Sequence, residues 1–102
     1  MLAGRTPRQD AKALAQLTAS GAVCIGKTAM TELAFSGLGI TPVYGTPANA
    51  SDGATERVPG GSSSGAAVSL ARDMCAASIG TDTGGSVRIP AAWNGLVGFK
   101  PS

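Results

Sequence analysis

Between residues 37 and 61 the chain carries Gly37, Gly39, Pro42, Gly45, Pro47, Gly53, Pro59, Gly60 and Gly61, with no sustained helical or strand period. Such a run forms neither a long helix nor a central strand, because proline removes backbone donors and glycine raises the entropy cost of ordering. Unstructured loops longer than about 12–15 residues are uncommon in compact domains unless they are functional or disordered. The stretch therefore reads as an ordered loop lying over a core, with Val43 and Tyr44 as the side chains that pack it.

Regular elements have to sit on either side of this loop. Upstream, Asp10 is placed to cap a helix over about residues 11–20, with Ala11, Leu14, Ala15 and Thr18 on one face and Gly21 behind it. Ala22–Ile25 reads as a buried strand ending at Gly26, and a short helix over about Thr28–Phe35 follows, capped by Thr28. Downstream, Gly60–Gly65 leads into a helical run over about Ala66–Arg72, with its serines placed as an N-cap. Ala76–Gly80 is a second buried strand and Thr81–Ser86 a polar turn at its end. A short helical stretch runs through Trp93, and Leu96–Phe99 is a third apolar run. Helices and strands in this order predict an α/β layer.

Composition narrows the class. Charged residues make up 14% of the chain, against roughly 25% in ordinary soluble domains. A free domain of this size has much surface for its volume and covers it with charge. The low value reads as a segment packed inside a larger protein. The formal net charge of +2 is spread along the chain, which gives no basic patch for nucleic acid. Cys24 and Cys75 lack metal-ligand spacing, and there is no His to complete a zinc set. Both lie in apolar runs and read as buried free thiols of a reducing compartment. No apolar run approaches the roughly 18 residues of a membrane span. The opening MLAGRTPRQD lacks the apolar core of a secretory signal. A cytoplasmic location is expected.

The chemistry concentrates in Asp82-Thr83-Gly84-Gly85-Ser86, where a strand gives way to a helix. Two adjacent glycines let successive N–H groups converge on one point, as a developing oxyanion requires. The alternative is an ordinary glycine-rich turn with a helix-capping serine. Gly61-Ser62-Ser63-Ser64-Gly65 formally matches a nucleophile elbow, but that motif needs a His and the chain has none. A Walker ending is also absent. Lys12, Lys27 and Lys100 are the lysines available to activate a serine, and none has S-x-x-K spacing. The residues alone give a serine-based candidate whose base is unidentified.

Gly60 through Ala91, GGSSSGAAVSLARDMCAASIGTDTGGSVRIPA, resembles the signature of the amidase-signature family, with no departure across it. AVCIGKTAMTELAFS at 22–36 and GLVGFKPS at 95–102 resemble its flanks. The resemblance implies an α/β fold: residues 1–102 are a partial amidase-signature domain from a mixed-sheet α/β/α core, incomplete at both ends. It implies a Ser–cis-Ser–Lys triad with Ser86 as nucleophile and Ser62, preceded by a cis peptide, as the bridging serine. The oxyanion donors fall on Thr83, Gly84, Gly85 and Ser86, and Ser63, Asp82 and Arg88 give structural support, the last two paired across the turn. The implied reaction is attack of Ser86 on the carbonyl of a small-molecule linear amide, release of the amine or ammonia, and hydrolysis of the acyl-enzyme. It calls for no metal or cofactor.

The family's catalytic lysine belongs to a segment upstream of Met1, so none is assigned in this chain, and Lys27 reads as structural or solvated. Ala29 departs from the usual Asn of the K-T-N-M run, with a looser local hydrogen-bond network as the expected result, and Ala50 stands where a Pro often follows Asn49. Two functional readings follow. The chain is part of an active amidase, or of an amidotransferase A-type chain with partner subunits and tRNA; or it is a non-catalytic remnant or interaction module. Taken alone it is expected to show little turnover and to fold poorly, because its strands would lack neighbours and leave edges unpaired.

Overall fold

The computed structural model describes residues 4, 6–51 and 53–102, so the N-terminal stretch read for a targeting signal lies partly outside the described residues. Residues 59–68 are buried without interruption. The buried apolar side chains are Ala66, Ala67, Val68 and Ala91, all small, so this core is built largely from backbone. A buried peptide group needs a hydrogen-bond partner, and the ribbon finds its partners far along the chain. Gly60 N–H donates to the Leu38 carbonyl at 3.0 Å and Gly61 N–H to that of Gly37 at 2.8 Å. The Ser62 carbonyl accepts Thr31 N–H at 2.9 Å, and Gly65 N–H donates to the Ala29 carbonyl at 2.9 Å. Residues 29–39 are thereby wrapped along one side of the ribbon. The approach is close: a Cβ at Gly61 would lie 2.6 Å from both Gly39 N and the Ser36 carbonyl oxygen.

Three α-helices are formed among the described residues, and the ribbon itself runs into the second of them. Helix α1, Lys12–Ala19, has Ala11 at its N-cap with no side-chain bond, so Asp10 does not cap it. Its end is as expected: Gly21 has φ 98, with Gly21 N–H donating to the Thr18 carbonyl and Ala22 N–H to that of Leu17, the paired bonds of a Schellman motif. No residue of α1 is buried. Helix α2, Ser64–Ala71, starts two residues earlier than expected, and Ser63 at its N-cap makes no capping bond. The Ser63 hydroxyl is instead engaged with Thr81. Helix α3, Arg88–Trp93, touches α2. Pro90 is its third residue, where the missing N–H is one that has no intrahelical partner anyway.

The helix expected over Thr28–Phe35 shrinks to a 3₁₀ turn at Glu32–Ala34. A full helix would need the Ala29 carbonyl for Leu33 N–H, and Gly65 already holds it. Ala22–Ile25, Ala76–Gly80 and Leu96–Phe99 form no strand among the described residues. They are also not buried: Val23 is 82% and Val97 94% exposed. The mixed sheet is therefore not formed within the described residues, since a strand is held by the neighbours that pair with it. Cys24 is likewise exposed and Cys75 half-buried, both as free thiols, which corrects the expectation of buried ones. Among the described residues no helix is long and apolar enough to cross a membrane.

The glycine- and proline-rich loop is ordered by polar contacts rather than by Val43 and Tyr44, which are 65% and 81% exposed. Asn94, at the C-cap of α3, donates from Nδ2 to the carbonyls of Pro59 and Pro90, both at 2.8 Å. Its Oδ1 accepts Ala50 N–H at 2.8 Å. Asn49 donates to the Trp93 carbonyl at 2.9 Å and accepts Ser51 N–H. Ala50 thereby supplies an N–H that a proline at this position would lack. Asn94 is buried, so Asn94→Ala leaves polar backbone groups unpaired and is expected to cost about 2–3 kcal/mol. Urea unfolding of the two forms measures it; a loss below about 0.5 kcal/mol contradicts the clasp.

Candidate active site

The turn between Thr81 and α3 is organised by one carboxylate. Asp82 Oδ1 accepts Gly85 N–H at 2.7 Å, and Oδ2 accepts Val87 N–H at 3.0 Å and Arg88 N–H at 3.2 Å. Arg88 closes the same carboxylate from outside, through Nε to Oδ2 at 3.1 Å and Nη2 to Oδ1 at 3.0 Å. The side chain of Asp82 is 3% exposed and that of Arg88 52%. The Arg88 hydrogen bond, followed by the three backbone N–H groups, holds the Asp82 carboxyl well below the usual carboxylate range, against the opposing pull of burial. Arg88 is raised in turn by Asp82. Gly85, at φ 122, supplies a conformation that side-chain-bearing residues avoid.

This arrangement sorts the four donors expected of the turn. Gly85 N–H is taken by Asp82, so it shapes the turn rather than facing a ligand. Thr83, Gly84 and Ser86 keep N–H groups that no described residue engages. Ser86 is half-buried at the start of the approach to α3.

The other serines come to this turn from the buried ribbon. Ser63 N–H donates to the Ser86 carbonyl at 3.1 Å, tying the two segments directly. The Ser63 hydroxyl accepts Thr81 N–H at 3.3 Å and lies 3.4 Å from the Thr81 carbonyl, which fixes the other end of the turn. Gly80 makes room for it, since a Cβ there would lie 2.8 Å from Ser63 Cβ. The Gly61–Ser62 peptide bond is cis. Ser62 is fully buried, and its Oγ has no hydrogen-bond partner among the described residues. Lys27 is exposed and does not reach it. Ala29 takes part through its carbonyl, which accepts Gly65 N–H and lies 3.4 Å from Ser64 Oγ. The absent Asn side chain therefore leaves these backbone contacts in place.

An open cleft of about 590 Å³ lies beside Ser86. Its one wall is Leu33–Gly37; the other is formed by Thr81, Thr83, Gly84, Ser86 and Ile89. Leu33 and Ala34 have φ of 54 and 55. Two consecutive non-glycine residues in the left-handed region cost on the order of 1–3 kcal/mol each and persist where surrounding bonds fix them. Sequence reading missed this wall, because helical spacing over 28–35 pointed to a regular element. It also missed Asn94, although an Asn-Gly pair closing a helix is a recognised C-terminal signal.

The Amidase family model matches residues 1–102. The A chain of the glutamyl-tRNA(Gln) amidotransferase of Streptococcus thermophilus (strain CNRZ 1066) is 49% identical over 102 residues, all of this chain and 20% of the relative. Its counterpart in Streptococcus pneumoniae (strain Hungary19A-6) is 48% identical with equal coverage. That of Prochlorococcus marinus (strain MIT 9215) is 45% identical, with 21% of the relative covered. The chain thus spans about a fifth of the length of these curated relatives. No solved structure matches it.

The depressed Asp82 carboxyl gives a signed pH dependence. Its contribution to stability is fully present above the unfolded carboxylate value of about 3.9 and is lost as the pH falls below it. Asp82→Asn removes this contribution. The gap in urea midpoint between parent and variant is expected to hold from pH 7 to pH 5 and to narrow below about pH 4. A gap that stays constant down to about pH 2.5 would show that the charge is irrelevant.

Proposed function

The chain belongs to the Amidase family, and from that premise we propose that it carries the serine machinery of an enzyme that cleaves the C–N bond of a linear amide. The observation that carries this reading is the Ser62 hydroxyl, fully buried, unpartnered, and one residue from the bond that joins Ser63 to Ser86. Leaving such a group unpaired costs about 1–3 kcal/mol. A proton relay between Ser86 and a base accounts for that cost.

In this reading Ser86 Oγ attacks the amide carbonyl carbon. Its proton passes to the Ser62 hydroxyl, and Ser62 hands its own proton to a lysine amine supplied from outside residues 1–102. The N–H groups of Thr83, Gly84 and Ser86 face the developing oxyanion, while Gly85, Asp82 and Arg88 keep the turn in shape. Collapse of the tetrahedral intermediate breaks the C–N bond, the amine or ammonia leaves with a proton, and water then releases the acyl group from Ser86. Asp82 holds donors in place before any charge develops, which is where most of the benefit of such a site lies.

Residues 1–102 are then one part of an amidase-signature domain, with the signature at 60–91. The exposed apolar side chains at 22–25, 76–80 and 96–99 support a mixed sheet completed by other polypeptide. The relatives are A-type chains of an amidotransferase, which brings partner subunits, tRNA and a cytoplasmic location within the reading. A stand-alone amidase acting on a small amide uses the same residues. The unpartnered Ser62 favours a second statement: alone, this chain is a poor catalyst.

Grafting residues 1–102 into the Streptococcus thermophilus relative, in place of its matching segment, tests the proposal. The chimera is expected to release ammonia from simple amides. Ser86→Ala is expected to lower the rate by about 10³-fold or more, and Ser62→Ala by about 10²–10⁴-fold. The 102-residue chain alone is expected to lag the chimera by about 10²–10⁴-fold, the usual worth of general-base assistance. A Ser86→Ala chimera as active as its parent removes Ser86 from the mechanism.

A further inference from the structure

Asn94 is followed by Gly95, and this pair carries a reaction of its own. Asparagine is a chemically labile residue, most of all before glycine, which has no side chain to hinder attack by its backbone nitrogen. Gly95 N loses its proton to solvent and forms a bond to Asn94 Cγ. The bond from Cγ to Nδ2 breaks, and Nδ2 takes a proton from water and leaves as ammonia. Water then opens the resulting succinimide ring, giving an aspartate or its isoaspartyl isomer at position 94.

The fold opposes each part of this reaction. Closing the ring brings Cβ and Gly95 N to the same side of the Asn94 Cα–C bond, but at ψ 15 it is the Asn94 backbone nitrogen that lies there. The leaving group is held twice, Nδ2 donating to the carbonyls of Pro59 and Pro90, both at 2.8 Å. Oδ1 is held by Ala50 N–H at 2.8 Å, so Cγ cannot turn toward Gly95 without breaking all three bonds. Asn94 is 5% exposed, which keeps away the water that takes the proton and opens the ring. The product, once formed, cannot rejoin the clasp. A carboxylate only accepts hydrogen bonds, so the carbonyls of Pro59 and Pro90 would face it with no donor between them. A buried charge in that setting is costly, and the isoaspartyl form also lengthens the main chain at the end of α3.

We propose that Asn94–Gly95 is a deamidation site held silent by the clasp, and that opening of the clasp converts it irreversibly. Pro59 begins the buried ribbon that carries Ser62, and Pro90 belongs to α3. Conversion therefore unties the ribbon from the helix, and a molecule that has opened for long enough does not close again. Asn49, in the same clasp but followed by Ala50, lacks the unhindered neighbour and is the slower site.

The test uses the chimera that carries residues 1–102 within the Streptococcus thermophilus relative, held in mildly alkaline buffer with and without unfolding urea. Peptide mapping by mass spectrometry follows conversion of amide to acid at Asn94 and Asn49. In urea, Asn94 is expected to convert faster than Asn49, and Gly95→Ala to slow it to the rate of Asn49, a comparison that needs no folded protein. Without urea, conversion at Asn94 is expected to be slower than in urea by about tenfold or more, the worth of the hydrogen bonds that must open first. When urea is removed, the unconverted molecules are expected to refold and the converted ones to remain open. Asn94→Asp, which installs the product directly, is expected to lower the urea midpoint. Equal rates at Asn94 with and without urea, no advantage over Asn49 in urea, or converted molecules that refold like the parent would each overturn the proposal. Mass and refolding are read here and turnover is not, so the result is independent of the role assigned to Ser86.

Discussion

The structure depends on a buried stretch of backbone. From Pro59 to Val68 the chain runs through the interior with little side chain to bury, so its stability rests on satisfying peptide groups more than on apolar area. Each N–H or C=O in such a ribbon demands a partner, and the partners decide the course of the remaining chain. Residues 29–39 lie where they do because Gly60, Gly61, Ser62 and Gly65 bind them. Small residues are a geometric requirement: at Gly39, φ +84, a Cβ would strike the Gly60 carbonyl.

The same requirement assembles the candidate site. Once Ser63 N–H is bound to the Ser86 carbonyl, the ribbon and the turn are in fixed register. Two polar clasps hold that register from opposite ends. Asp82 gathers the N–H groups of the turn, and Asn94 ties the start of the ribbon to α3 through Pro59 and Pro90. The serines therefore sit on backbone that is fixed by hydrogen bonds. The large apolar side chains, including Val23, Phe35, Val97 and Phe99, are left on the outside. An interior of peptide groups beneath an apolar exterior is what a segment needs when it is covered by further polypeptide.

Part of the candidate site's local geometry was legible in the sequence. Gly60–Ala91 carried the motif, and the pairing of Asp82 with Arg88 across the turn is present. Less of the fold was legible. Helices α2 and α3 fall close to their expected places, and α3 ends at Asn94, which is followed by Gly95. The strands failed: an apolar run such as Ala22–Ile25 reports a tendency to be buried, while pairing depends on neighbours that the run cannot specify. Ser63 did not cap α2 because Thr81, distant in sequence, takes its hydroxyl. The 28–35 helix failed for a similar reason, with the Ala29 carbonyl and Thr31 N–H drawn to the ribbon. Local propensity was overridden wherever the ribbon needed a partner.

Native-state hydrogen exchange on the 102-residue chain tests this account most directly. The amides of Thr31, Gly60, Gly61, Ser63 and Gly65 are predicted to exchange slowest and as one cooperative unit, with those of 22–25 and 96–99 exchanging fast. Protection at Ser63 is the key value, since its N–H holds the link to Ser86. If these five amides exchange as fast as residues 22–25, the ribbon is not the organising core and the two serines are not held in register.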